Sequence, residues 1–259
     1  MPNTVTVELP DMPRNRAALD AMGEMPGSQP LRGVTILAVE DSRFASEALR
    51  LMSRRLGMRL RRAETIQAAR SHLKLYRPNL VIVDLGLPDG RGEALIREIV
   101  AKPAAPVVLG TSGDPAGRAM ALAAGAQGFL DKPLESFAAF HALLLHHMPD
   151  QMEPGLATQI IPFDAPLTPD ALALRDDFAR AAAMIEAGIE AGTEAETQVY
   201  LSAFLTGVAH QSRDADLAAA AQHAATQPSA SRFATLRQML AGRLADPIAA
   251  FGEAAAQKT

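Results

Sequence analysis

Four short apolar runs punctuate the first half of the chain: Val34-Thr35-Ile36-Leu37-Ala38-Val39, Leu80-Val81-Ile82-Val83, Val107-Val108-Leu109 and Gly128-Phe129-Leu130. Runs this short and this apolar fit strands buried on both faces. Between and after them lie stretches with helical spacing, at Arg43–Leu56, Thr65–Tyr76, Gly92–Ala101, Ala116–Ala124 and Ser136–His147. Strands alternating with helices predict an α/β domain built on a doubly wound parallel sheet.

After residue 148 the pattern changes. Residues 149–167 hold several prolines and three acids, which predicts a semi-stiff linker. From Thr168 the text turns helical and alanine-rich. Thr168-Pro169-Asp170 offers an N-cap and a first-position proline for a helix reaching about Ala191, where Gly192-Thr193 breaks it. Further helices are expected over Glu194–Gln211, Asp214–Ala225 and Ser229–Leu244, making a small all-α domain at 168–259. Residues 1–32 are proline-containing with little periodicity and read as a flexible lead, so the α/β domain is placed at 33–148.

Composition narrows the setting. The chain has 259 residues, is 48% apolar and contains no cysteine, which excludes disulfides and thiolate metal sites and suits a reducing interior. No apolar run approaches the roughly 20 residues of a membrane helix, and the N-terminus lacks a secretory pattern, so a cytoplasmic protein with no membrane contact is expected. The net charge of −4 is unevenly spread. Residues 33–148 carry 15 basic against 11 acidic side chains, and residues 165–259 carry 7 against 11. An acidic C-terminal part is a poor start for binding a phosphate backbone, so DNA is not the expected partner.

The chemistry sits at the carboxyl ends of the apolar runs. Glu40 and Asp41 follow the first, Asp84 the second, Thr111 the third, and Lys132-Pro133 the fourth. In a parallel sheet those ends line one edge, where open α/β sheets bind ligands. Three carboxylates, a hydroxyl and an ammonium gathered there can hold a divalent cation and receive a phosphoryl group.

The stretches Ile36-Leu37-Ala38-Val39-Glu40-Asp41-Ser42, Asp84-Leu85-Gly86-Leu87-Pro88-Asp89-Gly90, Pro106-Val107-Val108-Leu109-Gly110-Thr111-Ser112 and Gly128-Phe129-Leu130-Asp131-Lys132-Pro133-Leu134 resemble the receiver domain of two-component response regulators. The resemblance covers residues 33–148 and implies a five-stranded, flavodoxin-like sheet of order 2-1-3-4-5. It implies Asp84 as the phosphoacceptor, with Mg²⁺ held by Asp41, Asp84 and the Gly86 backbone carbonyl, and by Glu40 mostly through water. Lys132 would pair with a phosphoryl oxygen across a cis bond to Pro133, and Thr111 with Phe129 would form the switch pair. The implied partner is a sensor histidine kinase or a phosphotransfer protein. Such a domain is not an enzyme beyond its own phosphorylation and dephosphorylation. Ser112 should leave access to Asp84 open, and Gly110 is read as loosening its strand end.

The C-terminal part has no resemblance of its own. It is read as a helical interaction or dimerisation module that meets a downstream protein and answers to phosphorylation. The alternatives are a divergent helix-turn-helix output and a phosphotransfer-like bundle using His210 or His223. In the helix at Glu135–Met148, the residues Phe137, Phe140, Leu144 and Met148 make an inward stripe. Ala138, Ala139, Ala142, Leu143 and Leu145 are left on the other faces, a patch that could pair two copies.

Overall fold

The computed structural model describes residues 29–134, 136–148, 171–191 and 195–245. The expected linker at 149–167, the Thr168-Pro169-Asp170 helix start, the Gly192-Thr193 break and nearly all of the N-terminal lead lie outside those residues.

The first domain runs β1 (Thr35–Val39), α1 (Arg43–Arg55), β2 (Arg59–Ala63), α2 (Ile66–Leu75), β3 (Leu80–Asp84), a two-residue hairpin pair β4 (Gly86–Leu87) and β5 (Gly90–Arg91), α3 (Gly92–Val100), β6 (Val107–Ser112), α4 (Gly117–Ala123), β7 (Gly128–Asp131) and α5 (Phe137–His147). Five strands form one parallel sheet in the order β2-β1-β3-β6-β7. That is the doubly wound, flavodoxin-like arrangement expected. Every residue of β3 is buried, as a central parallel strand requires. β2 reads Arg-Leu-Arg-Arg-Ala, with Arg59 and Arg61 exposed and Leu60 and Arg62 half-buried, the alternation of an edge strand.

Two apolar layers enclose the sheet. On one side Ile36, Ala38, Leu80, Ile82, Leu109 and Leu130 meet α1 and α5. On the other, Leu37, Val39, Val81, Val83 and Val108 meet α2, α3 and α4. Packing begins ahead of residue 33: Leu31 is fully buried in the first layer, and its N–H donates to the Leu56 carbonyl. Phe137, Phe140, Leu144 and Met148 are buried, as the stripe predicts. Leu143 and Leu145 are half-buried against the same core, so the exposed part of α5 shrinks to alanines and polar residues.

Four further helices follow: α6 (Ala171–Ala191), α7 (Ala195–Gln211), α8 (Ala215–Thr226) and α9 (Ala230–Ala245). Each buries one stripe, such as Leu174, Phe178, Ala181 and Ile185 on α6. Asp214 caps α8 by accepting from the Leu217 N–H, and the Arg243 guanidinium of α9 pairs with its carboxylate. The helical core also contains Phe44, which belongs to α1 of the first domain. The two halves therefore share apolar surface.

Gly110 does not loosen its strand. A Cβ there would lie 2.5 Å from Ala121 Cβ on α4 and 3.2 Å from the Phe129 ring, so the missing side chain is what lets α4 approach the sheet. Gly110→Ala should destabilise the protein by about 1–3 kcal/mol through overpacking. Urea unfolding should show a lower midpoint at unchanged m-value; an unaltered midpoint would contradict this packing account.

Candidate phosphoryl-transfer site

Strand register assembles the site. β3 pairs Asp84 with Thr111 of β6, and β1 pairs Val39 with Val83, which sets Glu40 level with Asp84. Past β7, the Lys132 N–H donates to the Ser112 carbonyl, and the Lys132-Pro133 bond is cis. Glu40, Asp41, Asp84 and Thr111 are all buried. The Lys132 ammonium lies 2.8 Å from both Asp84 Oδ2 and Glu40 Oε2.

The carboxylates of Glu40, Asp41 and Asp84 offer oxygens within 4.8 Å of one another. Asp41 Oδ1 and Thr111 Oγ1 are buried and have no hydrogen-bond partner among the described residues. Buried oxygens left unpaired beside converging carboxylates suit a hard cation with oxygen ligands, and Mg²⁺ fits that donor set. Gly86, whose backbone carbonyl is the further expected ligand, donates its N–H to Asp84 Oδ1 at 3.2 Å.

Electrostatics follow from burial. Burial, then the charge of Asp84, holds Glu40 well above the usual carboxylate range. Burial and Asp84 likewise push Asp41 from 3.8 to about 6, against the opposing bond from Tyr200 and the charges of Lys132 and Arg180. Burial works against the Lys132 ammonium, but Asp84 and Glu40 outweigh it and keep its pKa above the ordinary value.

Phe129 is buried, with the Arg118 guanidinium 5.3 Å from its ring centre. Asp89 lies apart from the cluster: its carboxylate accepts from the Ile66 and Gln67 N–H groups and caps α2.

Several contributors carried no signal in the sequence. Gly92 is one: a Cβ there would lie 2.1 Å from the Asp84 carbonyl oxygen. Arg62, on the edge strand, donates to the carbonyls of Glu40 and Asp41 and straps the end of β1. The others come from the helical domain. The Tyr200 hydroxyl donates to Asp41 Oδ2 at 2.5 Å, and Arg180 donates to the Asp41 carbonyl and to the Tyr200 oxygen. Asp177 accepts from the Ser42 hydroxyl and from the Arg43 and Phe44 N–H groups at the start of α1. Gln211 accepts from the Leu134 N–H, and α7 runs past Gly86 and Gly113. Open access to Asp84, expected from Ser112, is therefore not what the structure has. The helical domain lies over the entrance, and Asp84 is 7% exposed. A spacing rule within one domain could not reveal a cover whose Tyr200 lies 159 residues from the Asp41 it meets.

Comparison with known proteins agrees with this geometry. Residues 36–143 match the response regulator receiver domain. The KDP operon transcriptional regulatory protein KdpE of Escherichia coli (strain K12) is 39% identical over 99 residues, 38% of this chain and 44% of its own length. The virulence transcriptional regulatory protein PhoP of Shigella flexneri is 30% identical over 156 residues, 57% of this chain and 67% of its own. The chain belongs to the response-regulator family. Among solved structures, a putative response regulator from Chloroflexus aurantiacus is 26% identical, with a TM-score of 0.42, over 44% of this response regulator and 95% of that chain. Both named relatives are transcriptional regulators, so the expectation that DNA is not a partner finds no support in the comparison. The response regulator spans under half the length of KdpE. None of its described helices is long and apolar enough to cross a membrane.

The raised Asp41 pKa has a consequence for stability. Below pH 3.8 the carboxyl is protonated whether folded or unfolded, and above about 6 it is charged in both, so its burial opposes folding fully at neutral pH. At about 1.4 kcal/mol per pKa unit, ionised Asp41 costs the cation-free fold on the order of 3 kcal/mol. In EDTA, wild type should gain stability from pH 7 to pH 5. Asp41→Asn should be more stable at pH 7 and gain less on acidification, read by urea unfolding at both pH values. Equal gains in the two proteins would refute the assignment.

Proposed function

We propose that this response regulator accepts a phosphoryl group on Asp84 from a histidine kinase or phosphotransfer protein, and signals through its helical C-terminal module. The observation that carries the reading is the Lys132 ammonium 2.8 Å from an Asp84 oxygen, with Glu40 and Asp41 within metal-bridging distance. An Asp84 oxygen attacks phosphorus, the bond from phosphorus to the donor nitrogen breaks, and the departing imidazole takes a proton. Asp41, Asp84 and the Gly86 carbonyl would hold Mg²⁺, with Glu40 acting through water, and the cation would supply charge neutralisation for the phosphoryl oxygens. Lys132 pairs with one phosphoryl oxygen. Thr111, whose hydroxyl has no partner among the described residues, bonds another, and Phe129 and Pro133 belong to the packing that follows this change.

The output reading is supported by the docked helical domain. α7 lies against the β4 end of the site and α6 against the start of α1, so a protein donor reaches Asp84 only once those helices move aside. Phosphorylation thereby alters which surface of the module is free for a downstream protein. The α5 face is not needed for this reading, since its leucines are half-buried in their own domain.

With a small-molecule phosphodonor and Mg²⁺, a phosphate-affinity gel should show a shifted band for wild type and for Asp89→Asn, and none for Asp84→Asn. A shifted band in the Asp84 variant would sink the assignment.

A DNA-binding output is the second reading, favoured by the names of the two relatives and by the short turn between α8 and α9. His210 and His223 gain no comparable support: His210 sits beside Gln222 at the end of α7, and His223 is exposed near the end of α8. A gel-shift selection with the phosphorylated full chain separates the two outputs. The acidic balance of residues 165–259 predicts no sequence-selective retention at physiological salt, and selective retention would establish the DNA reading instead.

A further inference from the structure

The two carboxylate oxygens of Asp41 have different surroundings. Oδ2 faces the helical domain, accepting from the Tyr200 hydroxyl at 2.5 Å with Arg180 Nη1 3.6 Å away. Oδ1 is buried without a hydrogen-bond partner among the described residues, in a side chain only 1% exposed. A buried carboxylate oxygen with nothing to meet it is costly unless a cation arrives. The Glu40 and Asp84 carboxylates bound the space where one would sit.

Tyr200 is itself held in place. Arg180 Nη2 donates to its oxygen at 3.2 Å, while Arg180 Nη1 donates to the Asp41 carbonyl. The guanidinium lies 5.4 Å from the centre of the Phe204 ring, and the Tyr200 ring is tilted against the same phenylalanine at 6.0 Å. Arginine, tyrosine and phenylalanine thus form one unit of α6 and α7, and the only side-chain acceptor it reaches with a hydroxyl is Asp41 Oδ2 among the described bonds.

We propose that Tyr200 is a positioning residue for the divalent cation, supplied to the receiver by the helical domain. Its hydroxyl fixes Oδ2 toward the helices and so leaves Oδ1 for Mg²⁺. Hydrogen bonds to the non-ligating atoms of metal-binding side chains orient them, and their loss typically costs about 10–100-fold in metal affinity. Linkage adds a second consequence: whatever the docked helices contribute to Mg²⁺ affinity, Mg²⁺ contributes equally to docking. The inference rests on the phosphoreceiver reading only in that a divalent cation occupies this space.

The test uses the full chain, with Tyr200→Phe retaining the ring against Phe204. Calorimetric titration with Mg²⁺ should show at least about tenfold weaker binding in the variant. In wild type, Mg²⁺ should slow amide exchange along α7, and the variant should lose that response. Small-angle scattering reports whether the variant stays compact. Weakened Mg²⁺ binding supports the proposal in a compact variant directly, and in an expanded one through the linkage of docking to metal. Unchanged affinity overturns it, and tighter affinity does so by showing that the phenol competes with the cation. If wild type takes up phosphoryl on Asp84 while Tyr200→Phe binds Mg²⁺ normally, this inference alone falls. If wild type neither binds Mg²⁺ nor is phosphorylated, the underlying reading falls instead.

Discussion

Three carboxylates on one buried sheet edge, answered by a single ammonium, are the constraint around which this molecule is arranged. Glu40 and Asp41 cannot sit beside Asp84 unaided, because burial and the Asp84 charge both disfavour the charged forms of these two. Lys132 bridges two of them, and its own burial is tolerable only because they are there. Around this group the strand ends are held with little slack. Gly92 lets α3 begin against the Asp84 carbonyl, Gly110 lets α4 close on β6, and Arg62 straps the carbonyls that follow β1.

Much of this was legible because chemistry and topology share one sequence signal. A buried parallel strand reads as an unbroken apolar run, and the residue after it must emerge at the sheet edge, so Glu40, Asp41, Asp84, Thr111 and Lys132 could be gathered from text alone. The edge strand β2 is not legible in the sequence, since Arg59, Arg61 and Arg62 mask its period with charge. The role of Gly110 is not legible in the sequence, because a glycine's packing duty lies in what approaches it, here Ala121 from a later helix. The C-terminal helices were placed to within a residue or two at their described ends, because alanine-rich amphipathic stretches between breaks are a strong local pattern. Their contribution to the site was invisible. Asp177, Arg180 and Tyr200 look like ordinary surface residues until the fold sets them on the receiver.

The contact between the halves is polar where it meets the site and apolar beside it. Tyr200 and Arg180 address Asp41, while Phe44 of α1 is buried among Phe178, Phe204 and Leu205. Apolar burial gives such a contact strength without direction, and the hydrogen bonds give it register. The same surface that closes over Asp84 is therefore also tied to its neighbour Asp41.

Asp177 carries this beyond signalling, into how such proteins are assembled from parts. The first N–H groups of α1 are completed by a carboxylate from another domain rather than by water alone. A receiver transplanted onto a foreign output would keep Ser42 as its own cap but expose Phe44 and lose Asp177. A foreign receiver placed before these helices would have to offer a first turn that suits them. Receiver and helices are thus distinct patterns in the chain, yet in the fold they share one core and complete one helix start.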